Sequence, residues 1–103
     1  MFFGFIALED TLSGMVETTD GNFKVLTPDA APAYRIYGPN ATATMTGGTG
    51  TTSGPIDSQT GLYQFAHAIL SSQGYESGKT YTIRFTYTSG GNSYCKEGTF
   101  TVT

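Results

Sequence analysis

Residues 80–88, with the sequence TYTIRFTYT, alternate apolar and polar side chains without a break, and this alternation restricts the folds open to the chain. In an extended conformation one face of the segment would carry four apolar residues, Tyr81, Ile83, Phe85 and Tyr87. A period of two is typical of a β-strand with one buried face. The segment therefore predicts a strand whose aromatic and aliphatic face packs against a second layer of the protein.

The strand is followed by SGGN at residues 89–92, which predicts a tight hairpin because glycines readily take the positive φ angles of such turns. Residues 93–102, SYCKEGTFTV, would return as the antiparallel partner strand, with Gly98 as a candidate for a β-bulge. The last third of the chain is thus predicted to be one β-hairpin.

Two earlier segments show the same period. In residues 61–69 the alternation predicts a strand with one apolar face, formed by Tyr63, Phe65, His67 and Ile69. In residues 32–37 it places Tyr34 and Ile36 on one face of a short strand, which Gly38 and Pro39 should end. We therefore expect Tyr34, Ile36, Tyr63 and Phe65 to be buried between two sheets together with Tyr81, Ile83 and Phe85.

The remaining segments are less regular. Strands are predicted near residues 2–8, 13–19 and 22–27, the last two joined by a turn at Asp20 and Gly21. Residues 40–60 are rich in threonine and glycine and should supply at most one short edge strand. About seven strands without a helix predict an all-β fold, a single two-sheet antiparallel sandwich that spans residues 1–103 as one domain.

Composition argues against several classes of function. Five basic against eight acidic residues give a net charge of -3, which does not favour nucleic acid as a partner. The single cysteine, Cys95, cannot form an internal disulfide. The apolar start MFFGFIAL lacks the basic region of a signal peptide and is too short to span a membrane, so neither export nor membrane insertion is expected.

No constellation of residues predicts catalysis, cofactor binding or a metal site. No other potential metal ligand lies two or four residues after His67. His67 is therefore interpreted as a core or rim histidine that is hydrogen-bonded to a backbone carbonyl. Asp57 is interpreted as a turn residue rather than a calcium ligand. Cys95 is expected to be a buried or half-buried small apolar residue. The chain is therefore not expected to be an enzyme.

The first strand has more apolar side chains than one buried face can hold. Phe3 and Phe5 could share the face that reaches the core, and Phe2 and Ile6 would then point outward. Such a segment is either covered by the chain's own sheets and loops or serves as a contact arm for another subunit. Phe2, Phe3, Phe5 and Ile6 are accordingly the candidate partner-contact residues.

Three stretches carry a family resemblance, namely FGFIALEDTLSGMVETTDG, DAAPAYRIYGP and the long segment DSQTGLYQFAHAILSSQGYESGKTYTIRFTYTSGGNSYCKEGTFTV. Together they resemble the small Ig-like or transthyretin-like β-sandwich virion proteins of tailed bacteriophages. The resemblance implies an Ig-like fold and a structural role, foremost as a decoration or cement protein on the exterior of the capsid. The chain would be made in the host cytoplasm, with the major capsid protein or another virion protein as partner and with contacts between its own copies.

Two alternatives stay open because fold alone does not decide function. Related sandwiches also serve as tail, baseplate or neck components, and as modules that bind carbohydrate or a receptor on the host surface. A sugar-binding module should present aromatic side chains on loops, and Tyr75 is the main aromatic residue that the sequence places in a loop.

Overall fold

The segments with a period of two form strands in the computed structural model, which describes all 103 residues. Three single-turn 3-10 helices, Pro39–Ala41, Ile56–Ser58 and Ser71–Gln73, are the only helical elements. The seven strands in chain order are β1 Phe2–Ile6, β2 Thr11–Glu17, β3 Ala33–Tyr37, β4 Thr44–Thr51, β5 Leu62–Ala68, β6 Thr80–Ser89 and β7 Asn92–Val102.

The strands form two sheets. The larger sheet has the order β1-β7-β6-β3-β4, and the smaller sheet pairs β2 with β5. The neighbours β7-β6-β3-β4 reproduce the G-F-C-C′ order of variable-type immunoglobulin domains, and β2 and β5 take the places of strands B and E. The prediction of an all-β sandwich of two sheets and about seven strands is confirmed. One pair departs from the predicted antiparallel arrangement, because β1 runs parallel to β7.

The core lies between the two sheets and is built from the residues whose alternation predicted it. All seven residues expected to be buried are at most 7% exposed, namely Tyr34, Ile36, Tyr63, Phe65, Tyr81, Ile83 and Phe85. The Phe65 and Phe85 rings come from opposite sheets, and their centroids lie 5.0 Å apart. This aromatic contact across the sandwich joins the layers without a disulfide.

The entry into β6 has the geometry of the tyrosine corner of immunoglobulin domains. The Tyr81 hydroxyl accepts a hydrogen bond of 2.9 Å from the backbone N–H of Glu76, five residues upstream. Ile83, two residues after this tyrosine, is fully buried where antibody domains carry the second core cysteine. An aliphatic side chain thus fills the position that a disulfide occupies in those domains.

Three sequence expectations about strands need correction. Residues 22–27 do not form a strand, because only an isolated bridge between Thr19 and Val25 follows the turn at Asp20. The edge strand β4 has eight residues and is not short, since it pairs along β3. Gly98 is not a bulge, because it lies opposite Ile83 in an unbroken register between β6 and β7. The predicted hairpin at residues 89–92 is confirmed, with positive φ at Gly90 and Gly91.

Candidate interaction surface

The exposed apolar surface of β1 consists of two aromatic side chains. Phe2 is 53% exposed and Phe5 71% exposed, and their rings meet edge to face with centroids 5.4 Å apart. Both residues lie opposite threonines of β7, Phe2 at Thr99 and Phe5 at Thr101. We call Phe2 and Phe5 the aromatic pair of β1. It lies at the edge of the larger sheet, on the face turned away from the core.

Gly4 explains why the order of inward and outward residues in β1 differs from the expected alternation. The register with β7 shifts between Phe2 and Phe5, and Gly4 has φ +102°, a conformation that side-chain-bearing residues rarely adopt. Phe3 therefore points inward and Phe5 outward, so the expectation that both reach the core is wrong for Phe5. Ile6, expected to point outward, is half-buried and packs against the core.

Phe3 anchors β1 to both sheets. Its ring contacts the Phe65 ring at a centroid distance of 5.3 Å and the Phe85 ring at 6.1 Å. The ring also lies over the backbone of Gly98 in β7, where a Cβ would collide with it, and near Gly14 in β2, where a Cβ would be crowded by the rings of Phe65 and Phe3. Glycine at these two positions makes room for Phe3, and the anchored strand holds the aromatic pair in place.

Backbone hydrogen bonds fix both ends of β1. The N–H of Thr99 donates to the Met1 carbonyl at 2.9 Å, and the N–H of Thr103 donates to the Ile6 carbonyl at 2.9 Å. The opposite side of β1 has no strand neighbour, because β1 is the first strand in the sheet order. This free edge can pair with an extended segment of another chain.

A third exposed phenylalanine lies at one end of the sandwich. Phe23 is 85% exposed and follows a turn that Asp20 stabilises, since the Asp20 carboxylate accepts hydrogen bonds from the backbone N–H groups of Asn22 and Lys24. Tyr75, the aromatic residue expected on a loop surface, is instead 2% exposed and belongs to the core. Sequence reasoning missed Phe23 because residues 22–27 were expected to form a strand.

His67 contacts a side chain rather than the expected backbone carbonyl. Its Nδ1 lies 2.9 Å from the Tyr34 hydroxyl, and its Nε2 is buried without a hydrogen-bond partner. Partial burial lowers the pKa of His67 below its ordinary value of 6.5, because the imidazolium form loses hydration. The neutral ring is therefore the form that the folded protein favours.

This pKa predicts how stability depends on pH. Well above pH 6.5 the ring is neutral in both folded and unfolded chains, and it contributes no pH dependence. As the pH falls below 6.5, the unfolded chain takes up a proton more readily, so the free energy of unfolding should decrease. Urea denaturation at pH 7.5 and 5.5 should show a smaller decrease for His67→Gln than for the parent. An NMR titration midpoint of His67 above 6.5 would contradict this prediction.

Cys95 and Asp57, the other two residues considered as candidates for chemistry, do not form a site with His67. Cys95 is exposed on the outer face of the larger sheet, so the expectation of a buried or half-buried thiol is wrong. Its neighbours Tyr94 and Lys96 take the inward-facing positions of β7. Asp57 lies exposed in the turn Ile56–Ser58, as expected of a turn residue. No group of three or more histidine, cysteine or acidic side chains is close enough to hold a metal ion.

Comparison of the chain with protein-family models, with curated proteins and with solved structures finds no match. None of its helices has the length and apolar character needed to cross a bilayer.

Proposed function

We propose that the chain is a structural virion protein of a tailed phage, and that it decorates and stabilises the exterior of the capsid. The observation that carries the proposal is the aromatic pair of β1, held outward on a free sheet edge by a strand that Phe3 anchors in the core. Exposed aromatic side chains beside unpaired backbone groups are typical of a surface that another chain covers.

The proposed mechanism is attachment by apolar and main-chain contacts. Charged residues are only 13% of the chain, so electrostatic attraction can contribute little to binding. Phe2 and Phe5 would insert between major capsid protein subunits, and the free edge of β1 would pair with a strand of the shell or of a neighbouring copy. Binding to the assembled shell but not to separated subunits stabilises the shell by mass action.

The experiment compares three purified proteins for binding to phage heads that lack the decoration. Phe2→Ser combined with Phe5→Ser should weaken binding by at least about tenfold, because burying each phenylalanine contributes roughly 1.5–3 kcal/mol. Phe23→Ser is the matched control, since it removes an even more exposed phenylalanine from another part of the surface and should bind like the parent. Thermal melting of both variants should stay close to that of the parent.

A second candidate function rests on Phe23. An aromatic ring on an exposed turn with internal hydrogen bonds is suited to stacking on a sugar, as expected of a module that binds carbohydrate or a receptor on the host surface. If Phe23→Ser abolishes adsorption to host cells while neither the parent nor the double variant binds heads, this alternative replaces capsid decoration. The remaining alternative is a tail, baseplate or neck component, and the number of copies per virion distinguishes it from a head decoration. Such a component would be present in few copies, whereas a head decoration would be present in hundreds.

A further inference from the structure

A row of charged side chains crosses the outer face of the larger sheet. The strand registers place Arg35 of β3 directly opposite Arg84 of β6, and Arg84 opposite Glu97 of β7. Arg84 is fully engaged: its Nε donates to the Glu97 carboxylate at 2.8 Å, and its guanidinium lies 5.4 Å from the centroid of the Tyr37 ring. The Glu97 carboxylate raises the pKa of Arg84, which keeps this guanidinium charged.

Arg35 has no such partner. The chain contains two ion pairs, Arg84 with Glu97 and Lys79 with Glu76, and no side chain accepts a hydrogen bond from Arg35. Like charges directly opposite each other in a sheet repel. The row thus carries two positive groups and one negative group on a protein whose net charge is -3. A free guanidinium here is suited to a carboxylate from outside the chain.

Two adjacent hollows lie on this face, and Arg35 lines one of them; together we call them the groove. The first, of about 340 Å³, is lined by Arg35, Tyr37 and Thr49 among others. The second, of about 550 Å³, is lined largely by small or apolar groups, including Ala30, Ala31 and Cys95. Both hollows are lined by Ala33, Arg84 and Thr86, so they lie side by side. Arg35 lines only the first hollow, and the alanines at positions 30 and 31 line only the second.

We propose that this groove binds an amphipathic carboxylate, with the carboxylate on Arg35 and a compact apolar group in the alanine-lined hollow. The planar guanidinium fork matches the two oxygens of a carboxylate, and the second hollow falls within the size range of small-ligand pockets. The single free arginine and the negative net charge disfavour a multiply charged anion. Two sources supply this chemistry, namely a small organic acid and an acidic side chain of a peptide.

The test uses the full chain and follows its amide signals by NMR during titration with N-acetyl-leucine. N-acetyl-leucinamide, which lacks only the charge, should bind at least about tenfold more weakly, because hydrogen bonds to charged groups are among the stronger ones. The Arg35→Gln variant should bind N-acetyl-leucine no more tightly than the parent protein binds N-acetyl-leucinamide. Lys24→Gln removes the same charge elsewhere and should leave binding unchanged. Bound ligand should also slow alkylation of Cys95, which lines the groove.

A second arm separates the two sources. The peptide acetyl-Glu-Ala-Leu-amide presents its only carboxylate on a side chain, and tighter binding of this peptide than of N-acetyl-leucine identifies a polypeptide as the ligand. Tighter binding of N-acetyl-leucine identifies a small acid as the ligand. Either result supports the proposal that the groove binds an amphipathic carboxylate. Equal binding of acid and amide, no binding by any probe, or undiminished binding to Arg35→Gln would overturn the proposal.

Discussion

Phe85→Ala is expected to destabilise the protein by about 3–5 kcal/mol, the range for removal of a buried phenylalanine. Phe85 is 1% exposed and contacts the rings of Phe3, Phe65 and Tyr34, so its removal leaves a cavity bordered by aromatic side chains from three strands. Urea denaturation followed by tyrosine fluorescence would measure the change. A domain of this size typically has a total stability of about 5–15 kcal/mol, so the variant should unfold at much lower urea.

Phe23→Ala is the control for this measurement, because it removes the same ring from a position that is 85% exposed. It should change the free energy of unfolding by less than about 0.5 kcal/mol, as is usual for surface substitutions. If Phe85→Ala and Phe23→Ala had similar effects, the assignment of Phe85 to the centre of the core would be wrong.

Gly98→Ala is expected to destabilise the protein by about 1–3 kcal/mol, the typical cost of overfilling a packed site. The added methyl group would occupy the space of the Phe3 ring and approach the Met1 carbonyl to 3.2 Å. Phe3 would have to leave its place between the sheets, and β1 would be released from β7. Limited proteolysis near the N-terminus, together with denaturation, would report both consequences.

Gly21→Ala is the matched control for Gly98→Ala, because a Cβ at Gly21 would meet no atom within 4 Å. It should leave both stability and proteolysis almost unchanged. A Gly98→Ala protein as resistant to proteolysis as Gly21→Ala would show that Phe3 can be accommodated elsewhere without loss of β1.

The two strands with the clearest alternation were the easiest to predict, for a physical reason. In β5 and β6 every second side chain is large and apolar, so only one register buries them, and Phe65 and Phe85 lie where the sequence places them. β4 is different, because its sequence TMTGGTGT has no apolar period and its pairing is set by its position beside β3.

The candidate interaction surface was predicted in part. The sequence indicated a surplus of apolar groups in residues 2–6, but it could not identify which of them point outward. A single residue, Gly4, shifts the register, and nothing in the apolar pattern signals this conformation. Phe2 and Phe5 stay candidates for partner contact, whereas Phe3 and Ile6 contribute mainly to the protein's own packing.

The exposure of Cys95 could have been predicted. Counting back from buried Phe100 in steps of two assigns Gly98, Lys96 and Tyr94 to the inner face of β7, which leaves Cys95 outside. The same counting in β3 and β6 assigns Arg35 and Arg84 to the outer face. What it cannot supply is the register between strands, which brings the two arginines opposite each other.

The parallel pairing of β1 with β7 sets an order for biosynthesis. Phe2 pairs with Thr99, so β1 cannot find its partner until the ribosome has released the segment that forms β7. Until then Phe3 has no core to pack into, and the apolar segment of β1 is open to chaperones and to other nascent chains. The pairing of the first strand with the last is therefore among the final contacts of the fold to form during synthesis.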